Sequence, residues 1–199
     1  MTTFASRSSA VCAFVFFLAA AAASILQGCV PVIVAGAAGA TMVAVDRRST
    51  VAQADDGAVE LKVESEAGTR WGNEIHLNVT SYNGNVLVTG ESPNAEVKSE
   101  IARMARGASD RVRNVYDEMV IGPVTDLGAR SNDSYITSKV KARMLDSDAV
   151  KTIYVKVVTE RSVVYLMGIV SRSEGDRAAQ VAATTDGVAR VVKVFEYTN

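Results

Sequence analysis

The chain states one pattern twice, and that repetition limits what it can fold into. Val79 to Gly90 aligns with Val157 to Gly168, position for position and without a gap. Internal self-similarity on this scale means that each copy is a supersecondary unit with a hydrophobic face to bury. In both copies two β-branched, apolar runs flank a short polar break and finish on glycine, the pattern of a β-hairpin. Asn83-Gly84 is a strong two-residue turn signal because both positions tolerate positive φ. The second copy has to turn on Glu160-Arg161-Ser162, where the chemistry is weaker.

Each hairpin is followed by an alanine-rich, charged stretch, Pro93 to Ala108 and Arg172 to Thr185. Val97, Ile101, Met104, Ala105 and Ala108 share one helical face, and Ala178, Val181, Ala182 and Thr185 repeat the design. Pro93 suits an early helix position. A strand closes each copy, Val112 to Ile121 and Val188 to Tyr197. A helix opens each copy, Asp56 to about Ala67 and Asp133 to about Leu145, with Asp56 aligned on Asp133. The predicted fold is therefore α+β: two tandem αββαβ modules, each a three-stranded sheet packed on two helices. The first module spans 49–121 and the second 131–199. Gly122 to Arg130 forms a short linker, and the modules are expected to touch. Glycines 68 and 72 around Trp71 are expected to interrupt the first helix early, and Trp71 reads equally as an interface anchor or a loop plug.

Ahead of the repeats, residues 1–28 read as a lipoprotein signal peptide. Arg7 supplies a weak positive start, and the apolar run from Val11 to Ala23 is too short for the roughly 20 residues of a bilayer span. Leu26-Gln27-Gly28-Cys29 has the Leu-x-small-Cys form of the bacterial lipobox, which makes Cys29 the residue that carries diacylglycerol and acyl chains. Residues 29–48 form the lipidated tether. Its apolar part, Val30 to Val45, is read as lying along the bilayer surface. Val30 after the cysteine, in place of aspartate, sorts such a protein to the outer membrane, facing the periplasm.

Cleavage after Gly28 removes a single basic side chain, Arg7, and no acidic one, so the mature chain is slightly acidic, with a net charge of −2 against −1 for the whole sequence. That balance argues against nucleic acid as a partner. Cys12 leaves with the signal and Cys29 is consumed by lipid, so disulfides and thiolate metal sites are excluded. Asn78-Val79-Thr80 and Asn132-Asp133-Ser134 match the glycosylation pattern but are read as structural.

The lipobox, the small-residue tether and the two αββαβ repeats together resemble the dual BON-domain outer-membrane lipoproteins. The resemblance is closest at Ser92-Pro93-Asn94-Ala95-Glu96, at Ser131 to Val140 and at Val163 to Gly168, and it covers essentially the whole mature chain. It implies a non-enzymatic envelope protein that supports outer-membrane integrity, binds anionic phospholipid such as phosphatidylglycerol through its second module, and gathers at the division site. The chain departs from the family at Asp110-Arg111, where the second copy has Asp186-Gly187, so ligand binding is not carried to the first module.

A helix drawn from Ser134 to Ser147 places Ile136, Val140 and Met144 on a core-facing stripe. Tyr135, Ser138, Ala142 and Leu145 fall on the opposite face, flanked by Lys139 and Lys141. These six are the candidate phospholipid-binding residues: an aromatic and a leucine that dip into a membrane beside two lysines. The competing reading packs Tyr135 and Leu145 against the first module. A second functional class also stays open, an interaction lipoprotein docking onto a machine for outer-membrane protein assembly or peptidoglycan remodelling.

Catalysis is not expected. His76, the single histidine, alternates with Ile75 and Leu77 at a strand start and is read as structural. No nucleophile elbow, phosphate loop or metal-ligand motif is present, so no metal and no cofactor beyond the lipid on Cys29 is expected. Asp55-Asp56 reads as helix-start capping, and Asp117-Glu118 as strand neighbours facing opposite ways.

Overall fold

Ser49 starts the first helix, its hydroxyl accepting the amide of Ala52 at 3.1 Å. The computed structural model describes residues 46–147 and 154–198; the signal peptide, Cys29 and the tether up to residue 45 lie outside them. Helix α1, Thr50–Trp71, buries Asp56, Val59, Val63 and Ala67 along one stripe. It begins earlier than the sequence pattern suggests, at Thr50 rather than Asp56, and runs through Gly68. One interior glycine costs only about 1 kcal/mol relative to alanine, and the buried stripe on either side carries the helix past it. Gly72, at φ +50, ends it. Trp71 is therefore the last residue of α1 rather than part of a loop, and it packs on the core of its own module.

Strands β1 (His76–Tyr82) and β2 (Asn85–Ser92) form an antiparallel hairpin around Asn83-Gly84, both at positive φ. Asn94 caps helix α2, Ala95–Arg106, by accepting the Val97 amide at 2.9 Å. Pro93 thus precedes the cap instead of sitting inside the first turn. The third strand is broken in two, β3 (Asn114–Asp117) and β4 (Val120–Ile121), both parallel to β2. The break turns Met119 into the core, where it is buried, and the Glu118 amide donates to the Val88 carbonyl at 2.9 Å. The first sheet consequently has four strands where three were expected.

Asp126 caps helix α3, Leu127–Asp146, by accepting the Ala129 amide at 2.8 Å. Residues 127–130, assigned to the linker from their glycine content, are the first turn of this helix. Strands β5 (Lys156–Glu160) and β6 (Val163–Val170) are antiparallel, and β7 (Arg190–Tyr197) runs parallel to β6. Between β6 and β7, helix α4 (Arg172–Ala183) opens with a capping box: Ser171 accepts the Glu174 amide, and the Glu174 carboxylate accepts the Ser171 amide. Gly90 and Gly168 occupy equivalent places in the two sheets. A Cβ at either would collide with a neighbouring carbonyl, that of His76 or of Tyr154.

Strand alternation sorts each sheet's side chains between two faces. Val86 and Val88 join α1 and α2 in the first core, while Val164 and Leu166 join α3 and α4 in the second. The intervening Leu87, Tyr165 and Met167 point the other way and meet, with Tyr82, Val158 and Val194, in a third apolar cluster between the sheets. The two modules therefore pack sheet to sheet. Strand β2 is buried along its whole length because both of its faces are covered.

Candidate functional site

Helix α3 carries its apolar residues on two sides. Ile136, Val140 and Met144 are fully buried in the second core. On the outside, Tyr135 is 63% exposed and Leu145 65%, and Leu127 at the first turn is 77% exposed. Tyr135 and Leu145 thus do not pack against the first module. Leu127 lies in the stretch that the glycines mark as a linker, so the sequence pattern does not single it out. It lies about five helical turns before Leu145, so both point the same way about 27 Å apart.

Ser138, Lys141 and Ala142 lie exposed between them, with the Ser138 hydroxyl returned to the Ser134 carbonyl at 3.0 Å. Lys139 behaves differently. Its ammonium donates to the Asp186 carbonyl and sits 4.7 Å from the centroid of the Tyr135 ring, so it braces Tyr135 instead of reaching outward. Lys141 is the outward cation of the pair. Between Leu127 and Leu145 the sole acidic side chain is Asp133, and it is buried. Between those two leucines the exposed face is therefore apolar and basic, and the exposed carboxylate of Asp146, the last residue of α3, stands at its end beside Leu145.

Asp133 is withdrawn from that face by the hairpin below it. Its carboxylate accepts the amides of Arg161 and Ser162, each at 2.8 Å. This holds the weak turn at φ 52 and 62, so the reversal uses two residues, Arg161 and Ser162.

A second cluster lies between the modules. His76 pairs across the hairpin with Glu91, and Glu160 approaches from the end of β5. His76 Nδ1 is 3.3 Å from Glu91 Oε2 and 3.5 Å from Glu160 Oε1. Both glutamates are buried. Burial, then the neighbouring charges of Glu91 and Asp133, push the Glu160 carboxyl up to about 7. Burial also acts to raise Glu91, but its bonds from the Thr125 amide and hydroxyl and from Arg161 outweigh this and hold it below the usual carboxylate range. Neither glutamate was expected beside His76: the register of the Asn83-Gly84 hairpin is the signal that sets Glu91 there, whereas the approach of Glu160 depends on how the modules pack.

The BON domain model matches residues 55–123 and 132–199. The chain belongs to the BON-domain family. It is 40% identical over 174 residues to the outer membrane lipoprotein DolP of Haemophilus influenzae, covering 86% of this chain and 90% of that relative. It is 36% identical over 155 residues to a 21 kDa hemolysin of Actinobacillus pleuropneumoniae, covering 77% and 79%. The osmotically-inducible protein Y of Escherichia coli is 28% identical over 141 residues, covering 69% and 70%. This protein is a dual BON-domain outer-membrane lipoprotein. None of the helices among its described residues is long and apolar enough to cross a membrane.

The end of the tether is fastened to both BON modules. Arg47 donates to the two oxygens of Glu174 at 2.9 Å each and to the Ile169 carbonyl at 2.8 Å, with its guanidinium 4.0 Å from the Tyr154 ring centroid. Arg48 pairs with buried Asp56 at 3.0 Å and lies 4.1 Å over Tyr82. Adjacent arginines thus grip the second and the first module in turn. The sequence shows them only as the charged end of an apolar stretch.

Proposed function

We propose that this lipoprotein, held at the periplasmic face of the outer membrane by lipid on Cys29, binds anionic phospholipid through the exposed face of α3 and so supports envelope integrity, including at the division site. The observation that carries the reading is the character of that face. Leu127, Tyr135 and Leu145 are exposed along one side of the helix, with Ser138, Lys141 and Ala142 between them, Lys139 bracing Tyr135, and Asp146, at the last residue, as the helix's one exposed carboxylate.

A helix of this kind lies in the headgroup plane with its apolar residues inserted and its lysines over anionic headgroups. Each basic residue near such a surface contributes about 1 kcal/mol. The affinity is modest, and it suffices because an acyl anchor already keeps the protein beside the membrane and raises the local concentration of headgroups. The protein performs this role without catalysis.

The test is co-sedimentation of the unlipidated chain, residues 46–199, with vesicles. Binding to phosphatidylglycerol but not to phosphatidylcholine, abolished by Leu145→Glu, is the expected result. Undiminished binding by Leu145→Glu overturns the assignment of this face, and indifference to headgroup charge favours an interaction lipoprotein that docks onto an envelope assembly machine.

A further inference from the structure

His76, Glu91 and Glu160 come from three strands and two modules, yet their donor atoms lie within 4.8 Å of one another. His76 Nδ1 is buried and has no hydrogen-bond partner among the described residues, although a carboxylate oxygen stands at 3.3 Å and another at 3.5 Å. Two oxygens at these distances that fail to form a hydrogen bond flank the nitrogen rather than meet it. Donors around a shared ion stand in that relation. In a tetrahedral zinc site, with bonds of about 2.0–2.1 Å, adjacent donor atoms are about 3.3 Å apart.

We propose that His76, Glu91 and Glu160 bind one divalent transition-metal ion, zinc by ligand type, that joins the two BON modules across their seam. One imidazole and two carboxylates suit zinc, whereas calcium and magnesium call for all-oxygen shells. The two carboxylates match the charge of the ion. Glu91 is held for the task by the Thr125 amide at 3.1 Å, the Thr125 hydroxyl at 3.0 Å and Arg161 at 3.3 Å, the outer-shell support that orients metal ligands. A cavity of about 320 Å³, lined by His76 and Glu160 together with Arg130 and Asp133, gives the ion a way in and leaves room for a water in the fourth position.

The repeat supplies an independent argument. The alignment of the two hairpins sets Tyr154 and Ile169 in the places of His76 and Glu91, and Tyr82 in the place of Glu160. At those three positions the seam already holds cations. Arg47 lies against the Tyr154 ring and donates to the Ile169 carbonyl, and Arg48 lies over Tyr82. One end of the seam is thus closed by guanidinium groups from the tether. The other end offers an imidazole and two carboxylates to a cation from outside.

The full chain, purified from membranes in detergent and stripped of metal, tests the proposal by calorimetric titration with zinc, with magnesium and calcium as comparisons. The expected result is one zinc ion per chain, little response to the other two, and a zinc absorption spectrum with nitrogen and oxygen neighbours. Glu160→Gln keeps the shape of the side chain, and with it zinc binding is expected to weaken at least tenfold while the circular dichroism of the metal-free protein is unchanged. His76→Gln should behave the same way. No zinc binding at pH 7.5, or equal binding by Glu160→Gln, overturns the proposal. Vesicle binding is measured separately, so failure here does not bear on the lipid-binding face.

Discussion

Asp56 and Asp133 hold the same post in the two modules, each reaching from its own opening helix to the hairpin turn below. Asp56 accepts the amides of Asn83 and Gly84 at 2.7 and 2.9 Å and the Ser81 hydroxyl at 2.6 Å. Asp133 accepts those of Arg161 and Ser162. Neither caps its helix, a task that falls to Ser49 and Asp126. The carboxylates instead weld helix to hairpin, and in the second module they also compensate for a turn that lacks glycine.

Asp133→Ala is expected to destabilise the second module by about 1–3 kcal/mol, because it leaves two turn amides without their acceptor. Ser162 sits at φ 62, where glycine has no steric cost. Ser162→Gly should therefore recover part of the loss, about 1 kcal/mol. Hydrogen exchange of the β5 and β6 amides measures both effects.

Glu174 responds to pH through the tether. The Arg47 hydrogen bonds, then the Ser171 amide, hold its carboxyl down at about 2, against an ordinary 4.5. A carboxyl depressed in the folded state contributes stability above its unfolded pKa and loses it as pH falls through the folded value. The contribution is therefore full above about pH 4.5 and disappears toward pH 2. In Arg47→Ala the Glu174 carboxyl should titrate nearer its ordinary value in a carbon-detected NMR titration, and acid unfolding should begin at higher pH.

Leu87 is fully buried between the sheets rather than inside either module. Leu87→Ala should cost about 2–5 kcal/mol, as cavity formation does in a core. Because the loss falls on the seam, thermal denaturation is expected to separate into two transitions, with the modules unfolding apart.

Leu127→Glu should weaken binding to phosphatidylglycerol vesicles as strongly as Leu145→Glu if the whole exposed side of α3 meets the membrane. Lys141→Ala should cost about 1 kcal/mol, roughly fivefold in affinity, with a weaker dependence on salt. Co-sedimentation at two salt concentrations reads both. Binding lost with Leu145→Glu but retained with Leu127→Glu confines the contact to the C-terminal turns.

The sequence by itself determined the two αββαβ modules, because hairpin alternation and helical stripes are local periodicities and the repeat shows them twice. It determined that Ile136, Val140 and Met144 face a core and that Tyr135 and Leu145 point elsewhere, since about 100° of rotation per residue is a property of the helix alone. Helix ends were less legible. Gly68 and the glycines of the linker look like breaks, but buried stripes and the caps Ser49 and Asp126 carry α1 and α3 through them. Where Leu127, Tyr135 and Leu145 end up was a matter for the tertiary structure, because exposure depends on what the first module covers. The same holds for Glu160 beside His76, and for Arg47 and Arg48 on the two modules. His76 and Glu160 belong to different repeats, and Arg47 meets Glu174 from nearly the opposite end of the folded chain. No local rule connects positions so far apart, and only the packing of one sheet on the other brings them together.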